Sequence, residues 1–169
     1  MNSQHEFVLR TVEERDIRFI RLWFTDILGA LKSVVMSPSE LESAFEEGVG
    51  FDGSSVEGFS RISEADTIAM PDPSTFQIMP FDKGEPELLS ARMFCDIAQP
   101  DGQPSMVDPR HILRRQVTEA ANEGFTCMAS PEVEFYLLED ARDINNLVAT
   151  DNGGYFDQAT HDNAPSFRR

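Results

Sequence analysis

The stretch Phe51–Gly58 places three side chains that could contact a ligand, Asp52, Ser54 and Ser55, in one turn. A carboxylate can attract a cation, and a hydroxyl can donate or accept a hydrogen bond. A surface Asp-Gly turn is the ordinary interpretation. Apolar residues on both sides favour instead a loop that is fixed at both ends, so that its polar tip is held for binding. The glycines that permit close backbone approach are Gly50, Gly53 and Gly58, and the flanking apolar residues are Val49, Phe51, Val56 and Phe59.

Glu132 and Glu134 are the second pair that could do chemistry. They lie in Phe125–Leu138, which has the pattern of a strand, and residues two apart in a strand point to one face. Both faces of this segment are partly apolar, so we expect an internal strand with partly buried glutamates. Buried carboxylates are held by metals or bases, and hard oxygen ligands favour Mg²⁺ or Mn²⁺ over zinc. The alternative is two solvated glutamates on the wet face of a half-covered strand.

The segment Gly153–Asp157 is a third, weaker candidate. Its two glycines allow close approach of the backbone, and Tyr155 supplies a hydroxyl. A turn followed by a strand is the more common origin of such a pattern. The three histidines are scattered, and His111 is expected at a helix surface. The sequence has no Ser–His–Asp order, no glycine-rich dinucleotide motif, no Walker loop and no Cys-x-x-Cys.

The composition excludes several classes of protein. The chain has 169 residues and a net charge of −16, without the clusters of Lys and Arg that nucleic-acid binding requires. No apolar run approaches the length of a membrane span, and the first residues do not resemble a signal peptide. Cys95 and Cys127 lie in apolar runs, which predicts two buried thiols in a reducing compartment. We therefore expect a cytoplasmic protein with no membrane and no nucleic-acid partner.

Local patterns predict the elements that position these residues. Gln4–Arg15 has helical spacing, and Ile17–Thr25 with Ala30–Met36 predicts a hairpin. Ser37, Pro38 and Glu40 form a helix start with a capping box, and Gly48 ends that helix. The run Leu88–Ile97 completes a small mixed sheet packed on a helix.

The polar segment Gln99–Pro104 carries two prolines and separates two apolar stretches. It predicts a first domain over residues 1–102 and a second over 103–169. Asp108 and Pro109 start a further helix, and Gly124 ends it. The apolar face of that helix consists of Ile112, Leu113, Val117, Ala120 and Ala121.

Four motifs occur in a specific order along the chain, and together they resemble bacterial type I glutamine synthetase. The resemblance runs from Phe24-Thr25-Asp26 to Phe167-Arg168-Arg169. It implies an α+β chain, with a β-grasp-like N-terminal domain followed by the incomplete start of a catalytic α/β domain. The motifs are Phe51-Asp52-Gly53-Ser54-Ser55, Met70-Pro71-Asp72-Pro73, Ser130-Pro131-Glu132-Val133-Glu134-Phe135 and Gly153-Gly154-Tyr155-Phe156-Asp157.

The resemblance also implies ATP-dependent ligation of ammonia to glutamate through γ-glutamyl phosphate. By this resemblance Glu132 and Glu134 are metal ligands for Mg²⁺ or Mn²⁺. Asp52 and Ser55 belong to the loop that completes a neighbouring subunit's site, where the aspartate favours ammonium and helps to remove its proton. Tyr155 lines the same ammonium pocket. Divalent cations that neutralise phosphate charge fit this chemistry.

The resemblance implies further partners and leaves alternatives open. The partners are glutamate, ammonium, ATP and identical subunits, twelve of them in two hexameric rings at full length. Such an enzyme needs several hundred residues, so we interpret the chain as a fragment that is inactive alone, with most of the nucleotide site beyond residue 169. One alternative is a γ-glutamyl ligase for polyamines or other amines, although Asp52 and Ser55 favour ammonia. The other is a non-catalytic assembly domain.

Overall fold

The computed structural model describes residues 3–56, 66–80, 89–140, 142, 145–154, 156 and 157. Residues 1–127 and residues 128–169 form two compact units. All the helices and strands of the described residues lie in the first unit. The domain division predicted between residues 102 and 103 stays a prediction.

The first unit is built on a six-stranded mixed sheet with the order β2-β1-β6-β4-β3, in which β5 also pairs with β6. The long strand β6 joins two halves of this sheet, because its first part pairs with β1 in parallel and its last part pairs with β4 in antiparallel orientation. The strands are β1 (Phe19–Thr25), β2 (Leu31–Met36), β3 (Val49–Asp52), β4 (Asp66–Pro71), β5 (Gln77–Ile78) and β6 (Ser90–Ala98).

Alternation along the central strands decides which sheet face is buried. Ile20, Leu22 and Phe24 of β1 are buried, whereas the residues between them are only half-buried. The buried face packs on two helices, α1 (Ser3–Glu14) and α2 (Leu41–Glu47), through Val8, Val12, Leu41 and Ala44. The predicted helix over Gln4–Arg15, the hairpin and the small mixed sheet are therefore confirmed.

The start of α2 follows from local side-chain chemistry. The Ser37 hydroxyl accepts the N–H of Ser39, and the Glu40 carboxylate accepts the N–H of Ser37 at 3.3 Å, which completes the predicted capping box. A short 3₁₀ turn (Pro38–Glu40) leads into the helix. Gly48 ends it with φ of 75°, where a Cβ would clash with the Ile68 side chain.

The helix α3 (Pro109–Asn122) is held on the sheet by polar groups. The buried Asp108 carboxylate caps it by accepting the N–H of Arg110, and its second oxygen accepts the N–H of Ile97 in β6, each at 3.0 Å. Arg110 forms ion pairs with Asp72 and Asp96. Arg114 donates two hydrogen bonds to Asp96, at 2.7 and 2.9 Å. None of the residues of α3 is buried, and Leu113 of its apolar face is 63% exposed.

The structure corrects the prediction of a strand over Phe125–Leu138, most of which lies in the second unit. Residues 125–137 form no helix or strand, and Val133 is 77% exposed. In the described part of this unit, Leu138 and Ala149 pair in an isolated antiparallel β-bridge. A strand is stabilised by hydrogen bonds to neighbouring strands, and within the described residues none flanks 125–137.

Candidate functional site

Asp52 lies where β3 ends and a short 3₁₀ turn (Gly53–Ser55) begins. Its Oδ1 accepts the N–H of Ser54 at 2.9 Å, and the N–H of Val56 donates to the carbonyl of Gly53 at 3.1 Å. The aspartate is exposed, whereas Gly53 directly after it is buried. The carboxylate is thus presented to solvent from a turn whose backbone is hydrogen-bonded.

Packing on both sides holds this turn in place. The ring of Phe51 lies against Phe24 of β1, with ring centroids 4.9 Å apart, and Val56 packs against the same core. The antiparallel pairing of β3 with β4 holds the strand from which the turn begins. The prediction of a loop fixed at both ends is therefore confirmed as far as Val56. Gly58 and Phe59 lie outside the described residues.

Hydrogen bonding favours the ionised form of Asp52. The hydroxyl of Ser54, and after it the N–H of Ser54, hold the pKa of the Asp52 carboxyl below its ordinary value. At neutral pH this residue is an anion in a fixed position, which suits attraction of a small cation. For Ser55 the structure gives the backbone course only, so the predicted role of its hydroxyl stays a prediction.

The surroundings of Glu132 and Glu134 differ from those that the sequence predicts. Both residues are exposed, and neither side chain forms a hydrogen bond or ion pair with a described residue. The expectation that a strand buries them partly is wrong for this chain, because residues 125–137 form no strand. Their roles as metal ligands stay predictions.

The donor types of these glutamates suit a hard divalent cation, since carboxylate oxygens are the ligands of Mg²⁺ and Mn²⁺. The described residues contain no group of three or more His, Cys, Asp or Glu side chains arranged to hold a metal ion. Two carboxylates from one segment therefore fit the ion by chemistry, while a complete set of ligands is not assembled in the part of the chain that the structure describes.

Two hydrogen bonds join Gly154 and Asp157 in the third predicted patch. The N–H of Gly154 donates to the Asp157 carboxylate at 2.9 Å, and the N–H of Asp157 donates to the Gly154 carbonyl at 3.2 Å. Phe156 has φ of 65° and is exposed. Tyr155, the residue that the prediction singles out, lies outside the described residues.

Within the described ranges, the histidines and cysteines contribute no ligand cluster, and His161 lies outside those ranges. His5 stacks on Phe45 with ring centroids 4.4 Å apart, and His111 lies partly exposed on α3, as predicted. Cys95 is buried in β6, and this burial raises the pKa of its thiol to about 12. Cys127 is exposed, so the prediction of two buried thiols is wrong. Its apolar neighbours belong to the segment that forms no strand.

Two open depressions occur in the described first unit. One, of about 320 Å³, is lined by residues that include Leu9, Glu13 and Pro38. The other, of about 380 Å³, lies along α3 beside His111 and Arg115. Neither contains a residue predicted to act in catalysis.

Sequence reasoning missed a buried carboxylate at the hairpin tip. Asp26 accepts the N–H groups of Leu28 and Ala30, at 2.9 and 2.8 Å, and pairs with Lys32 at 3.2 Å. Burial alone would raise its pKa, but these hydrogen bonds outweigh burial, so the pKa of Asp26 is lowered. An aspartate three residues before a glycine was the available signal, and it indicates a turn rather than a ligand site.

Two family models match the chain in order. The glutamine synthetase beta-grasp domain matches residues 16–100, and the glutamine synthetase catalytic domain matches residues 106–169. Among relatives named glutamine synthetase, that of Mycobacterium bovis is 62% identical over all of this chain, and that of Methanosarcina mazei is 46% identical over 97% of it. The chain spans 38% and 36% of these relatives.

Solved structures agree on the fold. The cryo-EM structure of Plasmodium falciparum glutamine synthetase has a TM-score of 0.63 at 23% identity, covering 73% of this chain and 23% of the other. The GmaS/ADP complex has a TM-score of 0.60 at 24% identity, covering 68% of this chain and 25% of the other. The predicted α+β fold with a β-grasp N-terminal domain is confirmed.

No helix of the described residues could cross a membrane. With both family models matched in order, the chain belongs to the glutamine synthetase family.

Proposed function

We propose that this chain acts, within a longer protein, in the ATP-dependent ligation of ammonia to L-glutamate. In this reaction glutamate takes the terminal phosphoryl group of ATP, ammonia attacks the resulting γ-glutamyl phosphate, and phosphate leaves as glutamine forms. The observation that carries the proposal is 62% identity over the whole chain to relatives named glutamine synthetase. The chain covers 38% of their length, so the remaining parts of the site are expected elsewhere.

Asp52 is the residue for which geometry adds support. Its carboxylate is exposed, fixed by Ser54 and by the packing of Phe51, and its pKa is lowered. A fixed anion of this type would attract NH₄⁺ and then accept a proton from it as the amine attacks. Ser55 is proposed to assist in the same loop, and Tyr155 to line the ammonium pocket.

Glu132 and Glu134 are proposed to hold Mg²⁺ or Mn²⁺ together with ligands from the rest of the protein. The bound ion would neutralise phosphate charge during transfer of the γ-phosphoryl group. Both carboxylates are exposed and without ion pairs to described residues, so they are available to a ligand. ATP is the proposed co-substrate.

The longer protein is proposed to be a cytoplasmic homo-oligomer of two hexameric rings. In that assembly the Asp52 loop of one subunit would complete the site of its neighbour. Asp52 is exposed at the end of the edge strand β3, which supports a contact of its loop with a neighbouring subunit. Residues 1–102 are proposed as the N-terminal domain, and residues 103–169 as the beginning of the catalytic domain.

The experiment that tests the proposal compares amine substrates with the full-length gene product. ADP release is followed with ATP, glutamate and Mg²⁺, with either ammonium or putrescine as the acceptor. We expect ammonium to support the faster turnover and glutamine to be the product. Faster turnover with putrescine would support a γ-glutamyl-polyamine ligase instead, and no turnover with either amine would support a non-catalytic assembly role. The 169-residue chain alone is expected to form no glutamine.

A further inference from the structure

Asn152 is followed directly by Gly153, and the structure leaves this pair open to solvent. Of the six asparagines in the chain, Asn152 is the one that precedes a glycine. Asn152, Gly153 and Gly154 are all exposed and belong to no helix or strand. The side chain of Asn152 forms no hydrogen bond with the residues that the structure describes. Its amide is therefore accessible to a neighbouring nucleophile and to water.

The neighbouring nucleophile is the backbone nitrogen of Gly153. The side-chain carbonyl carbon of an asparagine and the nitrogen of the next residue can close a five-membered ring. A side chain on that next residue crowds the nitrogen, whereas glycine has no Cβ. A peptide nitrogen attacks only as its proton leaves, so a base within hydrogen-bond reach favours the closure of the ring.

The structure places such a base beside Gly153. The N–H of Gly153 donates to Oδ1 of Asp151 at 3.3 Å. On one side of the pair, the N–H of Thr150 donates to the carbonyl of Leu137 at 2.9 Å. On the other side, the N–H of Gly154 donates to a different carboxylate at 2.9 Å. Hydrogen bonds therefore hold the chain before and after the attacking nitrogen, while the proton of that nitrogen is directed to Asp151.

Asn122 shows a different arrangement in the first unit. It is the last residue of α3, and the N–H of Glu123 after it donates to the carbonyl of Glu119 at 3.2 Å. A peptide carbonyl accepts a hydrogen bond but does not take up the proton. Asn152 differs from Asn122 in both respects, because it has a glycine after it and a carboxylate at the attacking nitrogen.

We propose that Asn152 is a site of spontaneous deamidation, in which Gly153 supplies the nucleophile and Asp151 accepts its proton. The nitrogen of Gly153 bonds to Cγ of Asn152 as its proton passes to the Asp151 carboxylate. The bond between Cγ and Nδ2 then breaks, and the leaving nitrogen takes that proton, so ammonia departs and a cyclic imide remains. Water opens the imide at either carbonyl and leaves aspartate or isoaspartate at position 152.

The modification changes the chain directly before the segment Gly153–Asp157. Either product adds one negative charge at position 152, and isoaspartate also adds one carbon to the main chain there. The inference goes beyond the proposed function and does not depend on it. Because its test identifies a modified peptide and measures no turnover, its failure leaves the ligase proposal standing.

Prolonged incubation of the 169-residue chain at neutral pH, followed by trypsin digestion and tandem mass spectrometry, tests the site. Trypsin cleaves after Arg142 and Arg168, so one peptide carries the site and its internal controls. The asparagines of that peptide are Asn145, Asn146, Asn152 and Asn163. We expect Asn152 to convert about 10-fold or more faster than the other three, because glycine leaves the attacking nitrogen uncrowded. Conversion in buffer should be at least as fast as in urea.

Two variants and a matched control identify the reacting groups. Gly153→Ala adds a Cβ beside the attacking nitrogen and should slow conversion about 10-fold or more. Asp151→Asn keeps a hydrogen-bond acceptor but loses the proton acceptor, and it should slow conversion of Asn152 about 10-fold. The matched control is Gly154→Ala, which makes the same change one residue later. A Cβ there would lie 3.6 Å from the Asp157 carboxylate, in ordinary contact, so the rate should stay unchanged.

Four results would overturn the proposal. The first is conversion at position 152 that is absent or no faster than at the other three asparagines. The second is faster conversion in urea than in buffer, because the fold would then protect the pair. The third and fourth are rates that Gly153→Ala or Asp151→Asn leave unchanged, since the nucleophile or the proton acceptor would then be wrongly assigned. Circular dichroism of each variant before incubation separates altered chemistry from an altered fold.

Discussion

Ser54 lowers the pKa of Asp52 through two donors, its hydroxyl and its N–H. Replacing Ser54 by alanine removes the hydroxyl and keeps the N–H, so the pKa of Asp52 should rise toward its ordinary value of 3.8. NMR titration of the side-chain carboxyl measures this shift. Ser43→Ala is the control, because the Ser43 hydroxyl donates to the backbone carbonyl of Glu40. An unchanged Asp52 pKa in Ser54→Ala would contradict the assignment.

The sign of the pH dependence follows from the direction of this shift. The pKa of Asp52 is lower in the folded chain than in the unfolded chain, so its hydrogen bonds stabilise the fold above pH 3.8. That contribution is lost as pH falls through the lowered folded value. Ser54→Ala should therefore reduce the difference in stability between neutral and acidic pH.

The two cysteines should differ in reactivity, because thiolates react and buried thiols stay protonated. Cys127 is exposed, whereas burial raises the pKa of Cys95 to about 12. A thiol reagent should label Cys127 alone in the native chain at neutral pH, and label both residues in denaturant. Mass spectrometry of the labelled peptides measures this, and native labelling of Cys95 would contradict its burial.

At the scale of elements, α3 depends on polar contacts. Asp108→Ala removes the cap of the helix and leaves the N–H of Ile97 without an acceptor. A lost cap costs about 1 kcal/mol and an unsatisfied buried donor about 1–3 kcal/mol, so we expect a loss of about 2–4 kcal/mol. Urea unfolding measures the free energy.

Asp101→Ala is the matched control for Asp108→Ala. Asp101 also accepts a backbone N–H two residues later, but in an exposed turn, so its loss should cost less than about 0.5 kcal/mol. An equal loss in the two variants would show that the contact to Ile97 contributes nothing.

Elements differ in how far local sequence determines them. The start of α2 could be predicted, because Ser37 and Glu40 supply both side chains of the capping box within four residues. The segment 125–138 could not, because alternation predicts a strand only where a partner strand is present. The ion pairs of Arg110 join residues 38 and 14 positions apart, so spacing along the chain gave no signal for them.

At the scale of the molecule, the predicted site residues lie in different parts of the chain. Asp52 is fixed in the first unit, Glu132 and Glu134 belong to the second, and Tyr155 lies outside the described residues. The chain covers 38% of its mycobacterial relatives, so a site assembled from these residues needs further ligands. The order of motifs could predict the family, whereas the assembly of the site depends on contacts between residues far apart along the chain.

The most direct measurement of the central claim is ammonium-dependent glutamine formation by the full-length gene product carrying Asp52→Asn. The variant keeps size and hydrogen bonding but loses the charge and the proton acceptor, so turnover should fall about 100-fold or more. Asp101→Asn, a change of the same type in an exposed turn, should leave turnover unchanged. If Asp52→Asn forms glutamine as fast as the wild type, the role proposed for Asp52 is contradicted.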